Sequence, residues 1–138
     1  MKKVVTLVLS LIVMSALFAC SGGQASSTEP LDLQGDWRQV DTKTADNWVE
    51  ATITGDTIEV FVVNENGERR SLQWAGTYRA PTEATNSYTW ESERDSSRTE
   101  ISGLASSEDT KVFTYENGKL SYKDTIGQIT LSMTLERI

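Results

Sequence analysis

Side chains able to move protons or hold ions are scarce in this chain. Histidine is absent, so the commonest general base and the commonest metal ligand are both missing. The single cysteine, Cys20, rules out an intrachain disulfide. No serine triad, histidine-built zinc site or phosphate-cradling glycine loop can be assembled from what remains. Carboxylates are left. Glu91, Glu93 and Asp95 alternate, so on a continued strand they share one face, either as a cation or acid–base site or as a solvated outward row. Asn64 to Glu68 is rich in oxygen but lacks the spaced acids of a calcium loop, and reads as a turn. No catalytic residue, metal site or cofactor is predicted, and the chain reads as a non-enzyme. An exported hydrolase using the carboxylates is the remaining enzymatic reading, with no nucleophile behind it.

Aromatic residues are the other resource. Trp37, Trp48, Trp74 and Trp90, with Tyr78, Tyr88, Tyr115 and Tyr122, either line a pocket for an apolar or sugar-like ligand or fill a core. Trp37 reads as structural. Trp74 and Trp90 read as pocket or rim, because Gln73, Thr89 and Glu91 beside them give a half-polar setting. Tyr78 and Tyr88 join them as candidate ligand-binding residues.

The elements that must position these side chains are written in period two. Ile129 to Leu135 places apolar residues at every odd position, as a half-buried antiparallel strand does. Thr57 to Val63 is rich in branched and aromatic residues, and Trp48 to Ile53 alternates more weakly. Glycine-bearing links at 54–56, 64–68, 116–119 and 124–128 read as hairpin turns. Strands are predicted near 33–40, 48–54, 57–63, 69–78, 87–93, 111–116, 119–124 and 129–137, with an optional one at 97–101 and no helix. The fold class is therefore all-β: an up-and-down meander of about eight strands, closed or half-open as a small barrel, with a β-sandwich as the alternative. The stretch 94–110, rich in Ser, Asp and Glu, reads as a surface loop or an edge strand.

Ahead of these strands, Lys2 and Lys3 precede an apolar run from Val4 to Phe18, the length of a signal-peptide core and too short to span a bilayer. Leu17-Phe18-Ala19-Cys20 resembles the bacterial lipobox. The resemblance implies cleavage after residue 19, a diacylglyceryl group on Cys20, and anchorage at the outer face of the cell membrane. Two acyl chains suffice for stable attachment. Residues 20–30 then read as a flexible tether, and residues 31–138 as one domain. Loss of the leader with Lys2 and Lys3 takes the formal net charge from −7 to −9. Such acidity argues against nucleic acid and anionic headgroups as partners.

Leu33-Gln34-Gly35-Asp36-Trp37 resembles the Gly-x-Trp signature that opens lipocalin-like barrels, and Arg137 sits where those barrels place an arginine against that tryptophan. The resemblance implies a guanidinium over the Trp37 indole at the barrel floor and a binding module for a small apolar molecule, lipid or cell-envelope fragment. The segments around Trp74 to Thr82, Ser87 to Trp90 and Phe113 to Tyr122 are similar to small, largely uncharacterised lipoproteins of Gram-positive bacteria and their phages. That likeness implies a surface-anchored β-domain, and with the acidic surface it leaves open a module that binds another envelope or phage protein.

Overall fold

The computed structural model describes residues 28–138. The leader 1–19, Cys20 and the tether up to Ser27 lie outside the described residues. Among the described residues, eight antiparallel strands form one curled sheet, a half-barrel: β1 Gly35–Gln39, β2 Trp48–Thr54, β3 Thr57–Asn64, β4 Arg69–Thr77, β5 Ser87–Glu93, β6 Thr110–Glu116, β7 Lys119–Ile126 and β8 Ile129–Arg137. Their spatial order is β4-β3-β2-β1-β8-β7-β6-β5. The meander is therefore closed between its first and last strands, with Trp37 opposite Arg137. It opens between β4 and β5, where Gly76 and Arg94 form one isolated bridge. No helix among the described residues is long and apolar enough to cross a membrane.

Two-residue links join β2 to β3, β6 to β7 and β7 to β8 at Gly55–Asp56, Asn117–Gly118 and Gly127–Gln128, as hairpins of alternating strands favour. The 64–68 link is longer and contains a 3-10 turn, Glu65–Gly67. The region 97–101 does not form a strand. Asp95 instead starts a single helical turn, Ser96–Thr99, through hydrogen bonds from the backbone N–H of Arg98 and Thr99 to its carbonyl.

The concave side of the sheet is filled. Leu33, Trp37, Ala51, Ile53, Ile58, Val60, Trp74, Phe113, Leu120 and Leu135 are almost fully buried in one cluster. Tyr78, Trp90, Phe113 and Tyr122 form a chain of ring contacts through it, with centroids 5.1 to 5.3 Å apart. At the seam, Gly76 fits because it lacks a side chain. A Cβ there would lie 2.5 Å from the Glu93 carbonyl oxygen and press on the Ser92 hydroxyl. The loop after β5 runs along the free edge of β4: Asp95 and Ser106 donate backbone N–H groups to the carbonyls of Ala75 and Gln73, both at 2.8 Å, and Ser102 Oγ donates to that of Leu72. This strap satisfies carbonyls that a ninth strand would otherwise pair.

Candidate functional site

The lower end of the barrel, where β1 begins and β8 ends, is plugged. Trp37 donates its indole N–H to the Leu33 carbonyl at 3.2 Å and meets Tyr115 edge-on. The Arg137 guanidinium stands 4.8 Å from the centre of the Trp37 ring and donates to the backbone carbonyls of Asp32, at 2.6 Å, and Gln34. Gly35 lets it pass, since a Cβ there would sit 3.2 Å from Nη1. Gly35, Trp37 and Arg137 thus meet in one structural plug.

The upper end is built differently. Between β3 and β4 the register shifts, with Val60 opposite Trp74 and Phe61 opposite Leu72. Gln73 is the extra residue of this bulge. The bulge lets Gln73 and Trp74, adjacent in sequence, both be buried. Gln73 Nε2 donates to Asp124 Oδ2 at 2.6 Å, and Tyr122 donates its hydroxyl to Gln73 Oε1 at 3.1 Å. From the facing strand, the Lys111 ammonium donates to Asp124 Oδ1 at 3.0 Å, to Glu108 Oε2 at 2.5 Å and to the Lys123 carbonyl at 3.3 Å. Its three N–H groups are thereby engaged. The side chains of Lys111 and Asp124 are 2% and 3% exposed, so each ion depends on the other for its compensation.

This clamp sits where the wall parts. The β6–β7 ladder runs from Glu116 and Lys119 only as far as Phe113 and Tyr122. Two residues further, the Lys111–Asp124 ion pair and the bond to Lys123 bridge the strands beyond the end of the ladder. Burial pushes the Tyr122 phenol well above its ordinary value, and the Asp124 carboxylate pushes it further. Lys111 also lies 5.3 Å from the centre of the Trp74 ring, whose indole N–H is held by Ser92 at 3.0 Å.

Above the clamp opens a groove of about 430 Å³ between the strap and the β7–β8 hairpin, with Gln73 and Asp124 at its floor and Val62, Leu104 and Ile126 among its walls. Register fixes what rims it. Asp124 faces Leu131 and Ile126 faces Ile129 across the hairpin, and cross-strand partners share a face. The buried phase of β7 therefore continues upward into Ile126, Ile129 and Leu131, which are 60%, 64% and 42% exposed, alongside Leu104 at 59%. The upper end thus combines exposed large apolar side chains with a polar-floored groove.

The predicted ligand-binding aromatics do not converge here. Trp74 and Trp90 are buried in the core; Trp90 is stacked between Tyr88 and Phe113, and its indole N–H finds no acceptor among the described residues. Tyr78 is buried and Tyr88 half-buried, each bordering a separate groove at the lower end, of about 520 and 370 Å³. Of the four, Trp74 alone touches the upper site, from beneath. Nor do the carboxylates form one row. Glu91 and Glu93 face water on β5, whereas Asp95 lies past the strand end, its carboxyl held below the ordinary range by the Ser97 hydroxyl. Among the described residues no group of three or more His, Cys, Asp or Glu is placed to hold a metal ion.

Lys111, Asp124 and the apolar rim were not singled out from the sequence, and Gln73 only as a polar neighbour of Trp74. A signal for two of them was present. Lys111 is in phase with Phe113, and Asp124 with Leu120 and Tyr122, so opposite charges occupy the inward phase of consecutive strands. No known protein family, curated protein or solved structure matches the chain.

Proposed function

We propose that this chain is an exported binding lipoprotein, anchored at the outer face of the cell membrane through Cys20, whose barrel mouth holds a small molecule with a substantial apolar part. The observation that carries the reading is the mouth itself: Leu104, Ile126, Ile129 and Leu131 exposed around a floor of Gln73 and Asp124. Its volume is within the ~300–1,000 Å³ of small-molecule sites. Trp74 beneath the floor, with its hydrogen bond and its neighbouring ammonium, supplies a reporter. Hydrophobic probes titrated into the delipidated protein are expected to give a saturable change in tryptophan fluorescence, abolished by Leu131→Asp; an unsaturable or mutation-blind response rejects the reading. The anchor has its own test, since labelled palmitate incorporated by cells is expected in the wild type and not in Cys20→Ser.

A second reading, docking of another envelope protein, is favoured by the upper half of β8. The β1–β8 ladder stops at Gln39 and Leu135, followed by one bond from Val40 N–H to the Thr134 carbonyl. Among the described residues, the edge from Ile129 to Met133 thus lacks a strand on its β1 side, the kind of edge to which an extended segment adds. Cross-linkers placed at Thr130 and Ser132 in intact cells are expected to capture a protein partner on this reading alone.

A further inference from the structure

We propose that the mouth selects an uncharged, hydroxyl-bearing amphiphile, and discriminates against amphiphiles of either charge that carry the same chain. This rests on the mouth being a ligand site and assigns the class of ligand it takes.

The floor presents a donor beside an acceptor. An amide nitrogen carries two N–H groups, and each carboxylate oxygen accepts about two hydrogen bonds. Gln73 Nε2 gives one N–H to Asp124, while Asp124 Oδ1 and Oδ2 receive one bond each, from Lys111 and Gln73. One amide N–H and further carboxylate lone pairs therefore lie together at the groove floor. A hydroxyl group, which donates and accepts through one atom, is complementary to that pair. Carbonyl or ether oxygens satisfy only the donor.

Charge selects against the alternatives. An anionic head at this floor meets Asp124, with Glu108 on the other side of the ammonium, and Lys111 has no N–H left to offer it. A cationic head that reaches Asp124 meets an acceptor already 3.0 Å from Lys111 Nζ, and a second cation there is repelled at short range where water screens poorly. Burial of either charge without its own partner is unfavourable. The walls welcome the other half of the molecule: Val62, Leu104 and Ile126 line the groove, and Ile129 and Leu131 stand exposed on the same face of the hairpin beside it.

The test uses the full chain in the membranes of intact cells. Three clickable probes carry an identical diazirine-bearing chain under a glycerol ester head, a carboxylate or a trimethylammonium. The glycerol ester is expected to label the protein saturably at residues 103–107 or 123–132, with competition by plain monoolein, and at least ten-fold more strongly than either charged probe. Ile126→Ser, on the exposed rim, is expected to cut that labelling several-fold while protease resistance stays unchanged. Equal labelling by all three heads, or preference for a charged one, overturns the selectivity and leaves the mouth as a binding site. Failure of every probe to label the mouth overturns the binding function itself.

Discussion

At the lower end of the barrel a cation rests on the face of an indole and spends its hydrogen bonds on backbone carbonyls near the surface; at the upper end another cation is buried among carboxylates where two strands part. Arg137 supplements a sheet that is already paired, since β1 and β8 meet at its own position. Lys111 stands in for pairing that has ended. The lower arrangement closes a packed core, and the upper one keeps the strands in place while leaving a groove above them. A small barrel can therefore have an open end without losing its wall, provided that the charges buried at the opening are paired with one another.

The sharpest way to break this contrast is to remove the ammonium. Lys111→Met leaves Asp124 buried and uncompensated and is expected to cost about 3–5 kcal/mol in urea unfolding. The double change Lys111→Met with Asp124→Leu is expected to recover more than half of that, because an apolar pair tolerates burial. At the seam, Gly76→Ala drives a methyl group into the Ser92 hydroxyl and the Glu93 carbonyl; about 1–3 kcal/mol is expected, as for other overpacked sites. At the lower end, Arg137→Ala loses an exposed cation–π contact and surface hydrogen bonds, and about 1–2 kcal/mol is expected by the same measurement.

Alkali probes both ends together. Burial raises the Tyr78 phenol from 10.0 to about 12, with Tyr88 and Asp32 adding to it, and Tyr122 is raised further. A phenol whose folded value lies above its unfolded one stabilises the fold fully below the unfolded value, and that contribution fades as pH climbs through and beyond it. Stability is thus expected to fall from pH 10 upward, less steeply in Tyr122→Phe. The smallest effect belongs to the rim: Leu131→Ser is expected to change stability by less than about 0.5 kcal/mol, while removing most probe binding.

Strands were the legible part of this molecule, because one wetted face enforces alternation and short links enforce turns. Three of the eight, β2, β5 and β8, begin and end at the residues that the pattern predicts. The position of the opening was not legible. Whether β1 finds β8 or the meander stays open between them depends on curvature accumulated over the whole sheet, which no local window contains. The bulge at Gln73 was hidden for a related reason: Leu72-Gln73-Trp74 reads as unbroken alternation, and only the partner strand shows that a residue is surplus. The burial of Trp74 and Trp90 was not legible because aromatic residues serve a packed interior as readily as a pocket. Trp74 and Trp90 were the conspicuous candidates, whereas the upper groove combines aliphatic walls, Val62, Leu104 and Ile126, with the polar Gln73 and Asp124.

Because β1 is flanked by β2 on one side and β8 on the other, the first strand of the domain lies in the middle of the sheet. Ile138 is fastened to it as well, through its N–H and the Asp36 carbonyl at 3.0 Å. Any pull arriving through the residues before Leu31 is delivered along that strand and strains hydrogen bonds on both flanks at once. An edge strand would yield one bond at a time, like a zip. The described chain thus enters the sheet through a strand that is hard to peel away.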